Sequence, residues 1–384
     1  MKITSLNTIA LSRMHESERQ WFTSTYRTVK ADCAIVVIKT DSGLTGIGEA
    51  SAYGGPLKIQ DWVDWLSQEI LGADPEDPSI VPSPNGNRGA YDAAVAGLDC
   101  ALWDLRGKIA DKPVASLLTG TPVKKVRLYA SAGCSYDWRD RPEQLIDEAE
   151  RWIDEGFTAM KFRIGTDWSW DGVTVERFLD LVRDIARAVE GRLELAIDGN
   201  CRLEEDQALV IAREIDRLGF LWFEEPVPWK YPDVYARLNA TVELPITGGE
   251  SFTTVEQFRP FLDRKAYSII QPDTGLAGIT ESARIGAVAY RRGVNLIPHS
   301  WHNGLMAMAN AHLVASLPEP LFLEICKIQG PLQWGIIVDP PLIENGYLVI
   351  PDEPGLGVSL ADDLEQTFPY IEGHYGVVVD RIPR

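Results

Sequence analysis

The sequence has no long apolar run, no block of like charges and no CxxC cysteine pair. No stretch approaches 18 apolar residues and Met1-Lys2-Ile3-Thr4-Ser5 has no apolar signal core, so we expect a soluble cytoplasmic protein without a membrane partner. No run reaches five like charges and no basic stripe accompanies the net charge of −19, which argues against a nucleic-acid partner. The five scattered cysteines are expected to be reduced.

A phosphate-binding loop is also missing, since Gly355-Leu356-Gly357 alone is too weak a signal for a dinucleotide site. What the sequence has instead is a series of short apolar runs that each end in a charged or ionisable residue. The terminal residues are Lys161, Asp198, Glu224, Glu250, Asp273, His299 and Glu324. Consecutive members are 23 to 37 residues apart, about enough for one strand, one helix and two loops.

These runs predict buried parallel strands, because Ile, Val, Leu and Phe occur in them without alternation. With Val126-Arg127-Leu128-Tyr129 before them, the strands number eight. Helical patterns lie between them at residues 142–154, 175–189, 204–218, 254–262 and 280–292. Eight parallel strands with helices outside can close into a barrel with its catalytic residues at the carboxyl ends of the strands. We therefore predict an α/β protein with a (β/α) barrel at residues 123–329.

The chain is longer than such a barrel, so a second unit is expected, and residues 1–122 predict an α+β one. Strand patterns at 2–11, 33–40 and 44–50 precede helical patterns at 59–71 and 91–109. A Gly/Thr/Pro hinge near Thr121-Pro122-Val123 marks the expected boundary. The tail, residues 330–384, is rich in Gly and Pro and has a strand-like pattern at 342–351.

Asp198, Glu224 and Glu250 end consecutive predicted strands and are therefore neighbours in a closed barrel. Converging carboxylates repel one another unless a cation neutralises them, and all-oxygen ligation suits Mg²⁺ or Mn²⁺. Any one of these acids alone would more often cap a helix or pair with a surface lysine. Three in register favour a divalent metal site.

The three segments around these acids resemble the metal-binding motifs of the enolase superfamily. They are Asp198-Gly199-Asn200, Glu224-Glu225-Pro226 and Gly249-Glu250-Ser251. Asp273 with His299 resembles the His–Asp dyad of its mandelate racemase subgroup, and Glu324 matches the acid that hydrogen-bonds the substrate there. This resemblance implies metal ligation by Asp198, Glu224 and Glu250, with Asn200 or Glu225 close to the metal or the substrate.

Residues 89–120 resemble the N-terminal capping domain of the family, so the resemblance covers nearly the whole chain. It implies a modified TIM barrel, a cap to which the tail at 330–384 returns, a small-molecule carboxylate substrate and a homo-oligomer. The segments 12–30 and 51–55 are then expected to cover the barrel mouth and set specificity; alternatively, they are mobile surface excursions whose aromatic residues pack on the barrel. The implied substrate-binding residues in them are His15, Trp21, Tyr26 and Tyr53.

The reaction implied by the family is removal of the proton beside a carboxylate to give a metal-stabilised enediolate. His299 is the leading candidate for the base, with Asp273 fixing the tautomer of its ring and stabilising the imidazolium. His302 is a weaker rival. Glu324 would contact the substrate.

Lys161-Phe162-Arg163 stands where the subgroup usually has Lys-x-Lys, whose second lysine is a base on the opposite face of the substrate. Arginine remains protonated and is a poor base, although its planar fork suits a carboxylate. Racemisation needs a proton acceptor on each face, so Arg163 argues against it. Lys161, beside Arg163 and a metal, could have a lowered pKa and act as the second base itself.

Dehydration needs a single base, and His299 could also protonate the departing hydroxyl group. We therefore predict a lyase, a hydro-lyase that converts a sugar acid to a 2-keto-3-deoxy acid. The alternatives are a cycloisomerase of a sugar-acid lactone or anhydro sugar acid, and a racemase or epimerase of a 2-hydroxy acid. A muconate-type enzyme would have lysine where Asp273 stands. A barrel that binds metal and ligand without turnover is the least favoured.

Overall fold

The computed structural model describes residues 1–22, 26–52, 55–137, 140–164 and 173–378. Within these ranges the side chains of Glu18, Phe22, Tyr26 and Val378 are not described. Tyr53, an expected substrate-binding residue, therefore lies outside the described residues, and Tyr26 is described only by its backbone.

The chain begins with an antiparallel sheet in which β1 (Ile3–Met14) pairs with a long later strand. Two short strands follow β1, namely β2 (Trp21–Phe22) and β3 (Tyr26–Thr28). The sheet is then completed by β4 (Lys30–Thr40) and β5 (Thr45–Ala50) in the order β1-β4-β5. Both long strands run further into the segment 12–30 than the sequence predicts, because residues 12–14 pair with residues 30–32.

The helices Pro56–Ile70 and Ala90–Ala110 cover this sheet, close to the predicted bounds. The second is buried on most of its faces because it lies between the sheet and a helix of the barrel. Its small residues permit the close approach, since a Cβ added to Gly97 would lie 2.9 Å from the Cβ of Ala50. The short helix Val114–Leu118 leads towards the barrel.

Within the described residues, eight parallel strands form the predicted barrel, in chain order around it. They are β6 (Lys125–Ala132), β7 (Ala159–Arg163), β8 (Glu194–Asp198), β9 (Phe223–Glu224), β10 (Ile246–Gly248), β11 (Ile269–Ile270), β12 (Asn295–Leu296) and β13 (Leu323–Cys326). The last strand, β13, returns to pair with the first, β6. Every apolar run singled out in the sequence contributes a strand, which confirms the (β/α) barrel.

The helices between these strands lie on the outside of the barrel. Their bounds are Gln144–Asp154, Val175–Ala188, Glu205–Arg217, Pro232–Thr241, Val255–Asp263, Thr274–Tyr290 and Gly304–Ser316. The sequence pattern missed Pro232–Thr241 and Gly304–Ser316. The latter is buried on every side except at its end, so it lacks the polar face that makes a helix recognisable from periodicity. Thr274–Tyr290 consists of two helical parts, because Gly278, with φ of 77° and ψ of 167°, interrupts it. Asp273 caps the short first part, and the longer second part begins close to the predicted residue 280.

The tail adds β14 (Ile343–Glu344) and β15 (Tyr347–Val349), which pair antiparallel with each other, and β15 also pairs antiparallel with the start of β6. Asn345 and Gly346, with φ of 49° and 74°, form the tight turn between them where the sequence predicted one longer strand. The helices Pro331–Gly335 and Leu364–Thr367 flank this region, and β16 (Gly376–Val378) pairs with β3 of the first unit. The tail thus contacts both units, while the domain boundary near residue 122 stays a prediction.

All five cysteines are free, and four of them are buried, in keeping with the expected reduced thiols. No helix in the described ranges combines the length and the apolar character needed to cross a membrane.

Candidate active site

The carboxyl ends of the barrel strands bring the predicted catalytic and metal-binding residues into one buried cluster. Each of them exposes less than a tenth of its surface. The members are Lys161, Arg163, Asp198, Glu224, Glu250, Asp273, His299 and Glu324. Such a concentration of buried ionisable groups is costly unless they are paired, so the contacts within the cluster determine what it can do.

Lys161 lies between two carboxylates. Its Nζ contacts Glu224 and is 3.0 Å from Oε1 of Glu324. Burial lowers the pKa of Lys161, but the charges of Glu224 and Glu324 outweigh this effect and raise the pKa well above its usual value. Without a metal the two carboxylates thus oppose the predicted lowering of the pKa of Lys161. A cation held by Glu224 would weaken their effect, so the role of Lys161 as a base stays a prediction.

Glu224 and Glu324 receive further hydrogen bonds that fix their carboxylates. Glu224 accepts from Nε1 of Trp222 at 3.1 Å and from Nε2 of Gln271 at 2.5 Å. Glu324 accepts from the backbone N–H of Ser300 at 2.6 Å. Burial alone would raise the pKa of Glu324, but Lys161 and the His299 ring lower it to about 2, so this carboxyl group stays ionised.

Arg163 is held by one carboxylate and two tryptophan rings. Its Nε is 3.3 Å from Oδ2 of Asp198, and its guanidinium carbon is 5.0 Å from the ring centroids of both Trp21 and Trp301. The planar guanidinium suits this cation–π arrangement better than an ammonium group does. Lys161 and Arg163 both contact carboxylates at the strand ends, which confirms that their spacing of two places them on one face of β7.

His299 and Asp273 form the predicted dyad. Nδ1 of His299 is 2.7 Å from Oδ2 of Asp273, and Nε2 is 3.5 Å from Oε2 of Glu250. The other oxygen of Asp273 accepts the backbone N–H of Gly275 at 2.7 Å, which fixes the carboxylate. Burial lowers the pKa of His299, but Glu250, Glu324 and Asp273 together raise it to about 10. A cation placed beside Glu250 would oppose this rise.

His302, the rival base, lies on the side of the first unit. Its Nε2 is 2.9 Å from Oγ of Ser51, and burial lowers its pKa to about 4. A carboxylate is hydrogen-bonded to the ring of His299, whereas the ring of His302 meets a hydroxyl group. His299 therefore has the geometry of a base oriented by an acid.

The three proposed metal ligands, Asp198, Glu224 and Glu250, each face a cationic side chain. Asp198 faces Arg163, and Glu224 faces Lys161. The carboxylate of Glu250 lies 3.6 Å from the guanidinium of Arg88 in the first unit, in addition to its contact with His299. Among the described residues no three His, Cys, Asp or Glu side chains are grouped tightly enough to form a metal centre as they stand. The placement of a metal by these acids therefore stays a prediction.

The chemistry of these acids nevertheless fits a hard divalent cation. Burial raises the pKa of Glu224, and the positive charge of Lys161 opposes this rise. The negative charges of Asp198, Glu324 and Glu250 raise the pKa further. The pKa of the adjacent Glu225 rises to about 8 through burial and the charges of Glu250 and Asp198. The described cluster contains more buried carboxylates than cations, so an ion of charge 2+ would relieve this repulsion, and oxygen ligands suit Mg²⁺.

The backbone at the strand ends is strained where these motifs turn. Asn200, Cys201 and Glu225 have φ of 46°, 60° and 34°, a region that residues other than glycine rarely occupy. Gly249 has φ of 100°, and a Cβ there would lie 2.2 Å from the Phe258 ring, so the motif requires glycine. The side chain of Asn200 accepts a hydrogen bond from Arg202 at 3.1 Å, and its predicted role in substrate binding stays a prediction.

The segment 12–30 lies at the edge of this cluster, as expected. His15 and Trp21 are buried and line a cavity together with Trp301 and Gln329 of the barrel. Both interpretations of the segment place its aromatic residues against the barrel, so its role in specificity stays a prediction. The sequence patterns missed Trp301, Arg88 and Gln271. Gln271 ends an apolar run and could have been noticed by its position, whereas Arg88 lies in a polar loop with no pattern.

Sequence models of known families match most of the chain. A model of the mandelate racemase / muconate lactonizing enzyme N-terminal domain matches residues 9–119. A model described as enolase C-terminal domain-like matches residues 144–364, which is more than half of the chain. The two matches correspond to the first unit and to the barrel with part of the tail.

Curated relatives and solved structures agree with these matches. The chain is 32% identical to an arabinonate dehydratase of Saccharolobus solfataricus over 86% of this chain and 89% of the relative. It is 29% identical to a D-galactarolactone cycloisomerase of Agrobacterium fabrum over 94% and 97% of the two chains. The crystal structure of a 3,6-anhydro-D-galactonate cycloisomerase from Zobellia galactanivorans superposes with a TM-score of 0.82, 28% identity, and coverage of 97% and 100%. The chain therefore belongs to the enolase superfamily, in its mandelate racemase subgroup.

Proposed function

We propose that this protein is a hydro-lyase that removes the proton beside the carboxylate of a sugar acid and expels the β-hydroxyl group to give a 2-keto-3-deoxy acid. The buried His299–Asp273 dyad beside Glu250 carries the proposal, because it supplies one oriented base next to a carboxylate-rich site. The similarity to an arabinonate dehydratase supports the same class of reaction.

We infer that Asp198, Glu224 and Glu250 would hold Mg²⁺, or alternatively Mn²⁺. The cation, when bound, would engage the substrate carboxylate and stabilise the negative charge that develops on it in the transition state. Glu225 is placed to adjust the site without being a proposed ligand. It accepts from the backbone N–H of Gly249 at 3.2 Å and thereby fixes the turn that carries Glu250.

His299 performs both proton transfers in this proposal. Nε2 takes the α-proton, and the electron pair of the C–H bond passes into the enediolate of the substrate. Asp273 holds the ring through Nδ1 and stabilises the imidazolium that forms. The enediolate then collapses, the bond to the β-hydroxyl group breaks, and the proton on Nε2 leaves with that group as water. The enol product becomes the 2-keto acid by tautomerisation.

Lys161 and Arg163 act as fixed cations rather than bases. Lys161 is protonated between Glu224 and Glu324, and Arg163 is held by Asp198 and two rings. The face of the substrate opposite His299 therefore meets no neutral acceptor on β7, which disfavours racemisation or epimerisation. Lys161 instead supplies positive charge close to the position at which the substrate carboxylate becomes an enediolate.

A cycloisomerase is the second candidate, and the similarity to a D-galactarolactone cycloisomerase favours it. It would use the same base and enediolate with a ring oxygen as the leaving group. A barrel that only binds metal and ligand is disfavoured, because a His–Asp dyad is not needed for binding. A homo-oligomeric state and a cytoplasmic location stay predictions, the first of which light scattering would test.

The test is α-proton exchange with D₂O in the presence of Mg²⁺, followed over a panel of sugar acids by NMR. We expect exchange and 2-keto acid formation in the wild type, neither in His299→Asn, and retained exchange in Lys161→Met. Exchange that survives in His299→Asn but is lost in Lys161→Met would overturn the choice of base. Calorimetric Mg²⁺ binding unchanged in Glu250→Gln would overturn the assignment of that ligand.

A further inference from the structure

A loop of the first unit, residues 85–88, reaches the barrel at Glu250, one of the three proposed metal ligands. Arg88 ends this loop. Its Nη1 donates to Oγ of Ser251 at 2.6 Å, and its Nη2 is 3.6 Å from Oε1 of Glu250. The other oxygen of Glu250, Oε2, is 3.5 Å from Nε2 of His299. The two oxygens of Glu250 thus face different partners, which defines the orientation of the carboxylate.

The loop is held by the carboxylate of Asp92, which lies in the first turn of the helix Ala90–Ala110 and is completely buried. Asp92 accepts the backbone N–H groups of all four loop residues, at 2.7, 3.1, 3.0 and 3.2 Å. Convergent backbone N–H groups stabilise a buried anion. These hydrogen bonds fix the loop in a conformation that includes φ of 48° at Arg88, which a residue other than glycine rarely adopts.

The same carboxylate fastens the loop to the barrel. Asp92 also accepts the hydroxyl group of Thr253, three residues after Glu250, at 2.9 Å. Gln257 adds a second link, because its Nε2 donates to the carbonyl of Gly86 and its Oε1 accepts the backbone N–H of Thr253, both at 2.9 Å. The loop therefore has a defined position relative to the segment that carries Glu250.

Two roles for Arg88 are compatible with this contact, and they predict opposite effects on metal binding. As a mere counter-charge, Arg88 would compete with a cation for Glu250, so its removal would strengthen Mg²⁺ binding. As an orienting group, Arg88 would hold Glu250 ready for the cation, so its removal would weaken Mg²⁺ binding. The planar fork favours the second role, because it contacts Ser251 and Glu250 at once, which an ammonium group does less well.

We propose that Arg88 is a positioning residue of the metal site, which orients Glu250 for Mg²⁺, and that Asp92 holds Arg88 in place. The inference rests on the proposed function, since it takes Glu250 as a metal ligand. It makes the first unit part of the metal site, although the three proposed ligands all belong to the barrel.

The first experiment measures Mg²⁺ binding by calorimetry in Arg88→Met. The dissociation constant should rise about 10-fold, as is typical when a group that orients a metal ligand is removed. The matched control is Arg264→Met, because the Arg264 side chain is 45% exposed against 39% for Arg88 and lies 2.8 Å from Asp233, which is not a proposed ligand. Unchanged or tighter Mg²⁺ binding in Arg88→Met, or an equal loss in Arg264→Met, would overturn the proposal.

The second experiment follows α-proton exchange in D₂O as a function of Mg²⁺ concentration. In Arg88→Met the half-saturating Mg²⁺ concentration should rise about 10-fold, whereas the rate at saturating Mg²⁺ should stay within about 3-fold of the wild type. Arg88→Lys should recover part of the Mg²⁺ affinity, because it keeps the charge but loses the fork. A large loss of rate with unchanged Mg²⁺ dependence would mean that Arg88 acts on the substrate, which would overturn its role as a positioning residue.

The third experiment tests whether Asp92 acts through Arg88. Asp92→Asn should weaken Mg²⁺ binding, and Thr253→Val, which removes a single hydrogen bond to Asp92, should weaken it about 3-fold with little effect on folding. The control is Asp104→Asn, since Asp104 is equally buried on the same helix but accepts the backbone N–H groups of Ile47 and Leu356 instead. Unchanged affinity in Thr253→Val, or an equal loss in Asp104→Asn, would contradict the role of Asp92.

These measurements separate the inference from the proposed reaction. Weaker Mg²⁺ binding in Arg88→Met, together with no α-proton exchange by the wild type on any sugar acid, would support the inference and overturn the reaction. Exchange by the wild type with unchanged Mg²⁺ binding in Arg88→Met would do the reverse. A wild type that binds no Mg²⁺ would overturn both.

Discussion

His312 joins three parts of the chain and should make the stability of the protein depend on pH. It lies in the barrel helix Gly304–Ser316 and is completely buried. Its Nδ1 accepts the backbone N–H of Ala115 in the first unit at 3.2 Å, and its Nε2 is 3.1 Å from the carbonyl of Leu356 in the tail. This pattern requires the neutral ring with its proton on Nε2, since a protonated Nδ1 would meet another donor.

The size of this pH-dependent stabilisation follows from the difference between the pKa of His312 in the folded state and its pKa in the unfolded state. Burial lowers the pKa of His312 to about 4 in the folded protein, against a weaker opposing effect of the Leu356 carbonyl, whereas an unfolded chain has the usual 6.5. The unfolded state therefore binds the proton first as the pH falls. The stabilisation is complete above pH 6.5 and is lost between there and pH 4, which amounts to about 2 kcal/mol between pH 7.5 and 5.0.

The assay compares the wild type with His312→Gln by urea unfolding at both pH values. Glutamine does not titrate, so the stability advantage of the wild type should shrink by about 2 kcal/mol at pH 5.0. His374→Gln is the control, because the His374 ring is exposed and its replacement removes no buried group. A stability difference between wild type and His312→Gln that stays constant with pH would refute the reasoning.

Three further substitutions test the catalytic cluster. Asp273→Asn should slow α-proton exchange by about 100-fold or more. The Gly275 N–H would fix the amide oxygen and turn the NH₂ group towards Nδ1 of His299, so the ring would carry its proton on Nε2 and could not act as the base. Exchange at the wild-type rate would contradict the role of the dyad. Gly249→Ala should lower the free energy of unfolding by about 2 kcal/mol or more through its φ of 100° and the Phe258 ring, and an unchanged thermal midpoint would show that the turn can relax. Arg163→Lys should add a proton acceptor on the second face, so deuterium should enter recovered substrate of inverted configuration. Its absence by NMR would contradict the role of Arg163 in preventing epimerisation.

The barrel could be predicted because each of its strands is marked locally. Buried parallel strands need an uninterrupted apolar run, and a catalytic barrel places charged residues directly after such runs. Asp198, Glu224 and Glu250 are therefore recognisable from the sequence alone. The hairpin at Asn345-Gly346 carries an equally local signal, a turn dipeptide, although the apolar pattern around it predicts one continuous strand.

The contacts within the site could not be predicted because they depend on closure of the barrel and on distant segments. Glu324 reaches Lys161 only because β13 pairs with β6, beside β7. The two tryptophans around Arg163 come from distant parts of the chain, and no local pattern connects them. The pKa of Lys161 depends in turn on both carboxylates, which the residues beside Lys161 in the sequence do not reveal.

The contact between Lys30 and Ile371 joins residues 341 positions apart. It lies beside the pairing of β3 with β16, so the tail forms one wall of the cavity lined by His15, Trp21 and Trp301. The residues of the ionisable cluster, by contrast, lie at the carboxyl ends of the barrel strands. The wall of this cavity and the ionisable cluster thus reside on separate scaffolds, so a substitution at Tyr375 alters the cavity while leaving the strand ends of the barrel unchanged.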